Sequence, residues 1–186
     1  MNKIVLKHIF RFFLFIGLQV LVLNNVFFWG YINPYGYILF LLLLPIGMSK
    51  SRVLILAFIL GLTVDSFQNS FGIHAFACVL LGYYRLKLLE YLIPQLKNKK
   101  QDNLEFSIQE FGIQACLIYT SCMVFLHHFT IFSLEVFRLD VIGVLSRTIS
   151  SGIVTTALLI ILQFLLFRNI KRWQKITTIE STSLVG

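Results

Sequence analysis

The chain has 186 residues, of which 58% are hydrophobic and 15% aromatic, and 16 Lys and Arg stand against eight Asp and Glu. A mean hydropathy of +0.83 lies outside the range of soluble domains and excludes a water-soluble protein. The net charge of +8 comes from basic clusters that flank long apolar stretches. These are membrane-flanking charges, and they do not indicate a nucleic-acid surface.

The apolar stretches predict an all-α integral membrane protein, because about 20 helical residues cross a hydrocarbon core of roughly 30 Å. Six transmembrane spans are predicted, at about residues 9–28, 34–48, 51–67, 73–92, 111–129 and 141–167. Residues 24–28 offer no small-residue cleavage site, so we expect the first span to be retained. Residues 1–176 are predicted to form one six-helix membrane domain. Residues 177–186 have no apolar face and are predicted to be a disordered tail.

The second span has its own start signal at Asn33 and Pro34. An Asn side chain can cap free N–H groups, and Pro at the first helical position loses no hydrogen bond. Pro45 is expected to bend this span near its end. The 15 residues from 34 to 48 give only about 22 Å of helix, so we expect protection by neighbouring helices or a thinned bilayer.

The distribution of Lys and Arg predicts the topology. With six spans, 14 of the 16 basic residues fall on one side, leaving Arg138 on the other side and Arg147 inside a span. By the positive-inside rule, both termini are then cytoplasmic, which requires an even number of spans.

Two charged residues inside spans suggest an ion pair. Asp65 and Arg147 each lie about 10 Å below the predicted outer surface. Each charged residue lies on a helix face that carries small residues at four-residue spacing, Asp65 on span three and Arg147 on span six. Antiparallel packing of these two faces would set Gly61 near Ser151. The hypothesis is an ion pair between spans three and six. The alternatives are that Arg147 reaches the outer head groups and that Asp65 caps the turn before span four.

The sequence predicts no catalytic, cofactor-binding or metal-binding residue. His127 and His128 lie close to Glu135 in the sequence, but consecutive helical residues point about 100° apart and no third ligand has suitable spacing. No nucleophile elbow or phosphate-binding Gly-rich loop is present, so we expect a protein that is not an enzyme. The cysteines are expected to be small buried residues, at positions Cys78, Cys116 and Cys122.

Three short motifs resemble those of a known family. They are Asn33-Pro34, Gly61-x-x-x-Asp65 and Phe71-Gly72-Ile73-His74-Ala75. Together they resemble the rod shape-determining MreD family, and the similarity extends to length, basic amino terminus and hydropathy. The family often has Ser or Thr before the Gly that corresponds to Gly72, where this chain has Phe71.

The resemblance implies a multi-pass protein of the bacterial cytoplasmic membrane that acts without catalysis in lateral wall synthesis. Its implied partners are MreC, which it would bind through transmembrane helices, and, directly or indirectly, RodA, a penicillin-binding transpeptidase and MreB. No cofactor is implied. The candidate structural or partner-binding residues are Asn33, Pro34, Gly61, Asp65, Gly72 and Arg147.

The resemblance also leaves a second function open. The MreD membrane fold is similar to the S-component fold of energy-coupling-factor vitamin transporters, whose S-components bind small molecules. The sign of such a function would be polar and aromatic residues that converge on an outward cavity. The residues compatible with this alternative are Tyr31, Asn33, Asp65 and His74.

Overall fold

A computed structural model describes residues 3–25, 32–94, 96, 104–136 and 140–183. Within these ranges the chain is helical and contains no strand. The helices are α1 (Lys3–Leu21), α2 (Ile38–Leu42), α3 (Lys50–Gln68), α4 (Ile73–Leu92), α5 (Ile108–Glu135) and α6 (Val141–Ser183), with a short 3-10 helix at Leu23–Asn25. The prediction of an all-α protein is confirmed.

Four stretches of the described chain are long and apolar enough to cross a membrane. These helices are compatible with a multi-pass membrane protein. They are Val5–Asn25, Lys50–Gln68, Ile108–Glu135 and Val141–Phe167. They correspond to predicted spans one, three, five and six. Helix α4 has the predicted bounds of span four, but its second half carries Arg85, Lys87 and Glu90, which lowers its apolar character.

The predicted second span is not a regular helix. Only the five residues of α2 are α-helical there, so the prediction of one helix over residues 34–48 is wrong. We refer to residues 33–46 as the buried segment, because residues 37–44 are each at most 2% exposed. Irregular backbone at membrane depth is stable only where neighbouring protein groups satisfy its N–H and C=O groups. The neighbouring helices supply those groups.

Helices α3 and α4 form a closely packed pair. A side chain at Gly61 would collide with the backbone of His74 and Ala75, and one at Gly82 would touch the Ala57 methyl group at 3.3 Å. The small-residue face of α3 therefore packs against α4. The predicted contact between Gly61 and span six is wrong, because α4 fills the space beside this glycine.

Helix α6 continues beyond the predicted span. It extends to Ser183, whereas the sequence predicts disorder from residue 177, and residues 184–186 lie outside the described part. No Gly or Pro occurs between residues 153 and 185, so the sequence contains no strong signal to stop the helix.

Large apolar side chains cover the outer faces of the long helices. Exposed examples from α1, α3, α4, α5 and α6 are Phe13, Phe58, Phe76, Ile118 and Ile153. Such faces suit contact with lipid tails or with other transmembrane helices. The cysteine prediction is correct for two positions and wrong for the third, since Cys78 and Cys116 are buried and Cys122 is exposed.

Candidate functional site

A polar cluster surrounds the start of the buried segment, and Gln19 of α1 contributes most to it. The Gln19 side chain accepts a hydrogen bond from the Gly36 N–H at 2.8 Å and donates to the Pro34 carbonyl at 3.1 Å. Its amide also donates to Asn24 Oδ1 at 2.8 Å. Gln19 is 1% exposed. One buried amide therefore provides both a donor and an acceptor for backbone groups that have no helical partner.

Helices α5 and α6 satisfy the same backbone from the other side. The Asn33 N–H donates to Ser151 Oγ, and the Tyr35 N–H donates to Thr155 Oγ1, both at 3.2 Å. His128 Nε2 lies 3.2 Å from both the Asn33 carbonyl and Thr155 Oγ1. The sequence predicts that Ser151 packs near Gly61 of span three. In the structure, Ser151 and Thr155 hold the irregular backbone of the buried segment instead.

A second cluster, made of the ring side chains of Tyr37, His74 and His127, lies next to the polar cluster. The Tyr37 hydroxyl is 2.7 Å from His74 Nδ1 and 3.0 Å from His127 Nε2. Among the described residues, His127 Nδ1 has no hydrogen-bond partner. Tyr37 has one proton to donate, and donation to His74 with acceptance from His127 leaves only a lone pair unpaired on His127. The reverse arrangement would bury an unpaired N–H, so we assign the first.

The two adjacent histidines have different partners, so they form no joint ligand set. His127 bonds to Tyr37, whereas His128 Nδ1 lies 2.9 Å from the Val124 carbonyl. Glu135 is engaged by Arg147. Within the described ranges, no group of three or more His, Cys, Asp or Glu is placed to hold a metal ion.

Asp65 caps the amino terminus of α4. Its carboxylate accepts hydrogen bonds from the His74 N–H at 3.0 Å, the Ala75 N–H at 2.8 Å and Ser70 Oγ at 2.6 Å. The residue is only 5% exposed. An anionic acceptor at a helix start satisfies free N–H groups and interacts favourably with the helix dipole. This capping role is one of the alternatives that the sequence left open.

Arg147 has a different partner from the one predicted. Its guanidinium donates to Glu135 Oε2 at 3.0 Å and lies over the Phe132 ring at 4.3 Å from the centroid. The predicted ion pair between Asp65 and Arg147 is therefore wrong. The Asp65 carboxylate is occupied by the start of α4, and a carboxylate at the end of α5 lies within reach of Arg147.

The turn between α3 and α4 requires unusual backbone angles. Asn69 ends α3 in the left-handed conformation with φ of 54°, and Gly72 precedes α4 with φ of 91°. Phe71 also has a positive φ of 50° and is fully exposed. Left-handed φ costs a residue other than glycine about 1–2 kcal/mol. The Asp65 hydrogen bonds hold this turn in place.

A cavity opens beside the polar cluster, with a volume of about 320 Å³. Its lining is rich in amide groups and also contains one carboxylate, and consists of Gln19, Leu23, Asn24, Asn33, Pro34, Tyr35, Phe67, Gln68 and Glu135. Of the residues predicted for a ligand cavity, Asn33 belongs to this lining. Asp65 and His74 do not line this cavity and bond to the start of α4 and to Tyr37. Tyr31 lies outside the described residues.

The opposite end of the bundle carries the basic side chains of Lys7, Arg11, Lys50 and Lys87, and we call it the basic end. It holds an ion cluster that the sequence did not predict. Glu105 accepts hydrogen bonds from Lys7 and from Arg11, each at 2.8 Å, and lies 3.6 Å from His8. Burial raises the pKa of Glu105, but the two cations outweigh burial and lower its pKa below the usual value. The four-residue spacing of Lys7 and Arg11 indicates one helix face, although it does not identify the partner.

The predicted site residues fall into three places. Asn33 and Pro34 begin the buried segment. Gly61 and Asp65 of α3, with Gly72 of the following turn, lie at the start of α4, and Arg147 pairs with Glu135. Comparison of the chain with protein-family models, with curated proteins and with solved structures finds no match.

Proposed function

We propose that this chain is a non-enzymatic membrane scaffold of the bacterial cell-elongation complex, related to the MreD family, and that it binds MreC through its transmembrane helices. The observation that carries the proposal is the set of three motifs that resemble this family. In the fold these motifs have linked roles. Asn33 and Pro34 begin the buried segment, Asp65 caps α4, and Gly61 allows α4 to approach α3.

The linkage runs through His74, which belongs to the third motif. Its backbone N–H donates to Asp65, and its ring bonds to Tyr37 of the buried segment. Separate short motifs support one family assignment more strongly when they form one structural unit. This geometry is independent of the hydropathy that first suggested a membrane protein.

In this proposal the basic end faces the cytoplasm, with both termini on that side. The buried segment and α4 complete six crossings in an arrangement similar to the S-component fold. The buried segment lies along α4 from His74, which bonds to Tyr37, to Arg85, which bonds to the Leu44 carbonyl. Those contacts are 11 residues apart on α4, or about 16 Å of helical rise.

The described loops leave little material for a separate binding domain, since four residues join α3 to α4. Recognition of partners would therefore use helix faces within the membrane. Small residues and apolar side chains on such faces pack well against a single transmembrane helix. MreC supplies such a helix, and RodA, the transpeptidase and MreB would act through this complex or at the cytoplasmic end.

The experiment that tests the proposal places a photoreactive amino acid on each exposed helix face in living cells. Suitable positions are Phe13, Phe58, Phe76, Ile118 and Ile153, one on each long helix. We expect crosslinks to the MreC-like protein of the same cell from one face only. Buried Leu60, which is 0% exposed, serves as the control and should give no crosslink to another chain.

Depletion of the protein should also round rod-shaped cells. The scaffold proposal would be contradicted if none of the five exposed positions reached an MreC-like partner and if depletion left cell shape unchanged. Crosslinks from every face equally would indicate random encounters in the membrane and would also count against a defined partner surface.

A second candidate function is supported by the 320 Å³ cavity. A small-molecule-binding transporter subunit would use its amide groups to hold a polar ligand. Mass spectrometry of the protein after gentle purification tests this function. A stoichiometric small molecule that is lost in Gln68→Leu would favour the transporter subunit, and no retained molecule would favour the scaffold.

A further inference from the structure

A second cavity lies between α3 and α4 at the basic end. It has a volume of about 180 Å³, well above the roughly 10–15 Å³ that a cavity needs to hold one water molecule. Three of its lining residues are the basic side chains of Lys50, Arg85 and Lys87, and its lining contains one acidic residue, Glu90. A cavity with this charge attracts anions.

Arg85 is the most unusual group in this cavity. It is 2% exposed, and its guanidinium donates to the carbonyl oxygens of Leu44 and Pro45. Within the described ranges, it forms no ion pair with a carboxylate, and its Nε–H has no hydrogen-bond partner. The titratable groups that act on it include the Tyr119 hydroxyl, which is neutral at pH 7, and the His8 ring, and neither is an anion. A buried cation without a counter-charge is costly, and a nearby anion would offset that cost.

The start of α3 adds a second attraction for anions. Lys50 is the first residue of this 19-residue helix, and no acidic residue occurs in its first turn. The Ser49 side chain forms no capping hydrogen bond there. The first N–H groups of α3 therefore lack the side-chain acceptor that usually caps them, which favours a bound anion.

Lys87 stands at the mouth of the cavity. Its ammonium group donates to the Tyr83 hydroxyl at 3.1 Å and lies 4.4 Å from the centre of the Tyr83 ring. Tyr83 is half exposed. Tyr and Lys side chains commonly occupy the boundary between hydrocarbon and head groups. This cavity thus lies where a phospholipid head group could reach it.

We propose that the cavity binds a phosphate group between Lys50, Lys87 and the positive field of buried Arg85. The phosphate belongs either to an anionic phospholipid or to a soluble phosphate, and the same chemistry recognises both. Arg85 also ties α4 to the buried segment through two carbonyls. This structural role explains the hydrogen bonds of the terminal guanidinium nitrogens of Arg85. It does not explain why two lysines and an open cavity lie beside it.

The proposal is tested with the full chain in detergent. Native mass spectrometry should show retention of phosphatidylglycerol in preference to phosphatidylcholine. The double variant Lys50→Ala with Lys87→Ala should retain phosphatidylglycerol roughly 10- to 30-fold more weakly, because each basic residue near a head group contributes to anionic-lipid binding. The matched control is Arg52→Ala, which removes a nearby basic residue outside the cavity lining and should change retention less than about twofold.

A further variant has the opposite expected sign. Glu90→Gln removes the acidic residue of the lining and should strengthen retention. A titration with inorganic phosphate separates the two sources. Binding of phosphate to the original chain but not to the double variant would assign the cavity to soluble phosphate, whereas selective retention of phosphatidylglycerol alone would assign it to lipid. Equal binding by the double variant and Arg52→Ala, or unchanged retention in Glu90→Gln, would overturn the proposal.

Discussion

Replacement of Asp65 by Ala should destabilise the protein strongly. The change removes the acceptor for two backbone N–H groups at the start of α4 and for the Ser70 hydroxyl. A buried donor that loses its partner costs about 1–3 kcal/mol, so the two N–H groups together cost about 2–6 kcal/mol. Asp65→Asn keeps one acceptor oxygen and should cost less, about 1–2 kcal/mol.

The chain offers a matched control for this substitution. Asp140 precedes α6 and accepts from the Gly143 N–H at 2.9 Å, but it is exposed. Because water can replace the lost acceptor there, Asp140→Ala should cost only about 0.5–1 kcal/mol. Unfolding in mixed micelles, followed by circular dichroism as sodium dodecyl sulfate is increased, measures both variants under the same conditions.

Two results would refute the capping account. One is an Asp65→Ala variant that is no less stable than Asp140→Ala. The other is recovery of stability when Asp65→Arg is combined with Arg147→Asp, because that recovery would require the ion pair that the structure replaces with separate partners. We expect the exchanged pair to be at least as unstable as Asp65→Arg alone.

Three other substitutions give distinct expected outcomes in thermal melts in detergent. Glu105→Gln should lower Tm at neutral pH. Because the Glu105 pKa is lowered, the stability that its charge contributes is complete above the usual glutamate pKa and is lost as pH falls through the lowered value. The Tm values of the original chain and of Glu105→Gln should therefore converge in acid. A Tm difference that stays constant with pH would contradict this expectation. Gly61→Ala should destabilise by about 1–3 kcal/mol, whereas Gly17→Ala, with open space around it, should be neutral or stabilising; equal effects would be inconsistent with close packing. Gln19→Leu leaves two buried backbone groups unpaired and should cost about 2–6 kcal/mol. A similar loss in Gln68→Leu, which bonds only to a side chain, would contradict this expectation.

Helices with clear chemical boundaries could be predicted from the sequence. Helix α4 has the predicted bounds, because the turn at Gly72 precedes it and Pro94 follows it. Helix α3 agrees within one residue at each end, with predicted bounds of 51 and 67 against Lys50–Gln68. Hydropathy and turn residues carry this information, since both depend on local composition.

The Asp65 site was only partly predictable, for a geometric reason. The position of a residue along a spanning helix predicts its depth in the membrane, and this gives Asp65 and Arg147 similar depths. Depth does not determine which helices are neighbours or which face meets which partner. Packing determines the partner of each charged side chain. It places the start of α4 against Gly61, within reach of Asp65, and it places Glu135 beside Arg147.

The buried segment was missed because its stability comes from distant residues. Its own sequence, rich in Leu and opened by Pro34, resembles a helix, and the groups that permit another backbone course are Gln19, Ser151 and Thr155. Each of these polar residues alone is ambiguous within an apolar helix. Since a polar group inside a bilayer is costly unless paired, their convergence on one backbone gives them a common structural role. The polar groups at the start of this segment are therefore occupied by the fold, and the surfaces that remain for partners are the apolar helix faces, the cavity beside Asn33 and the basic end.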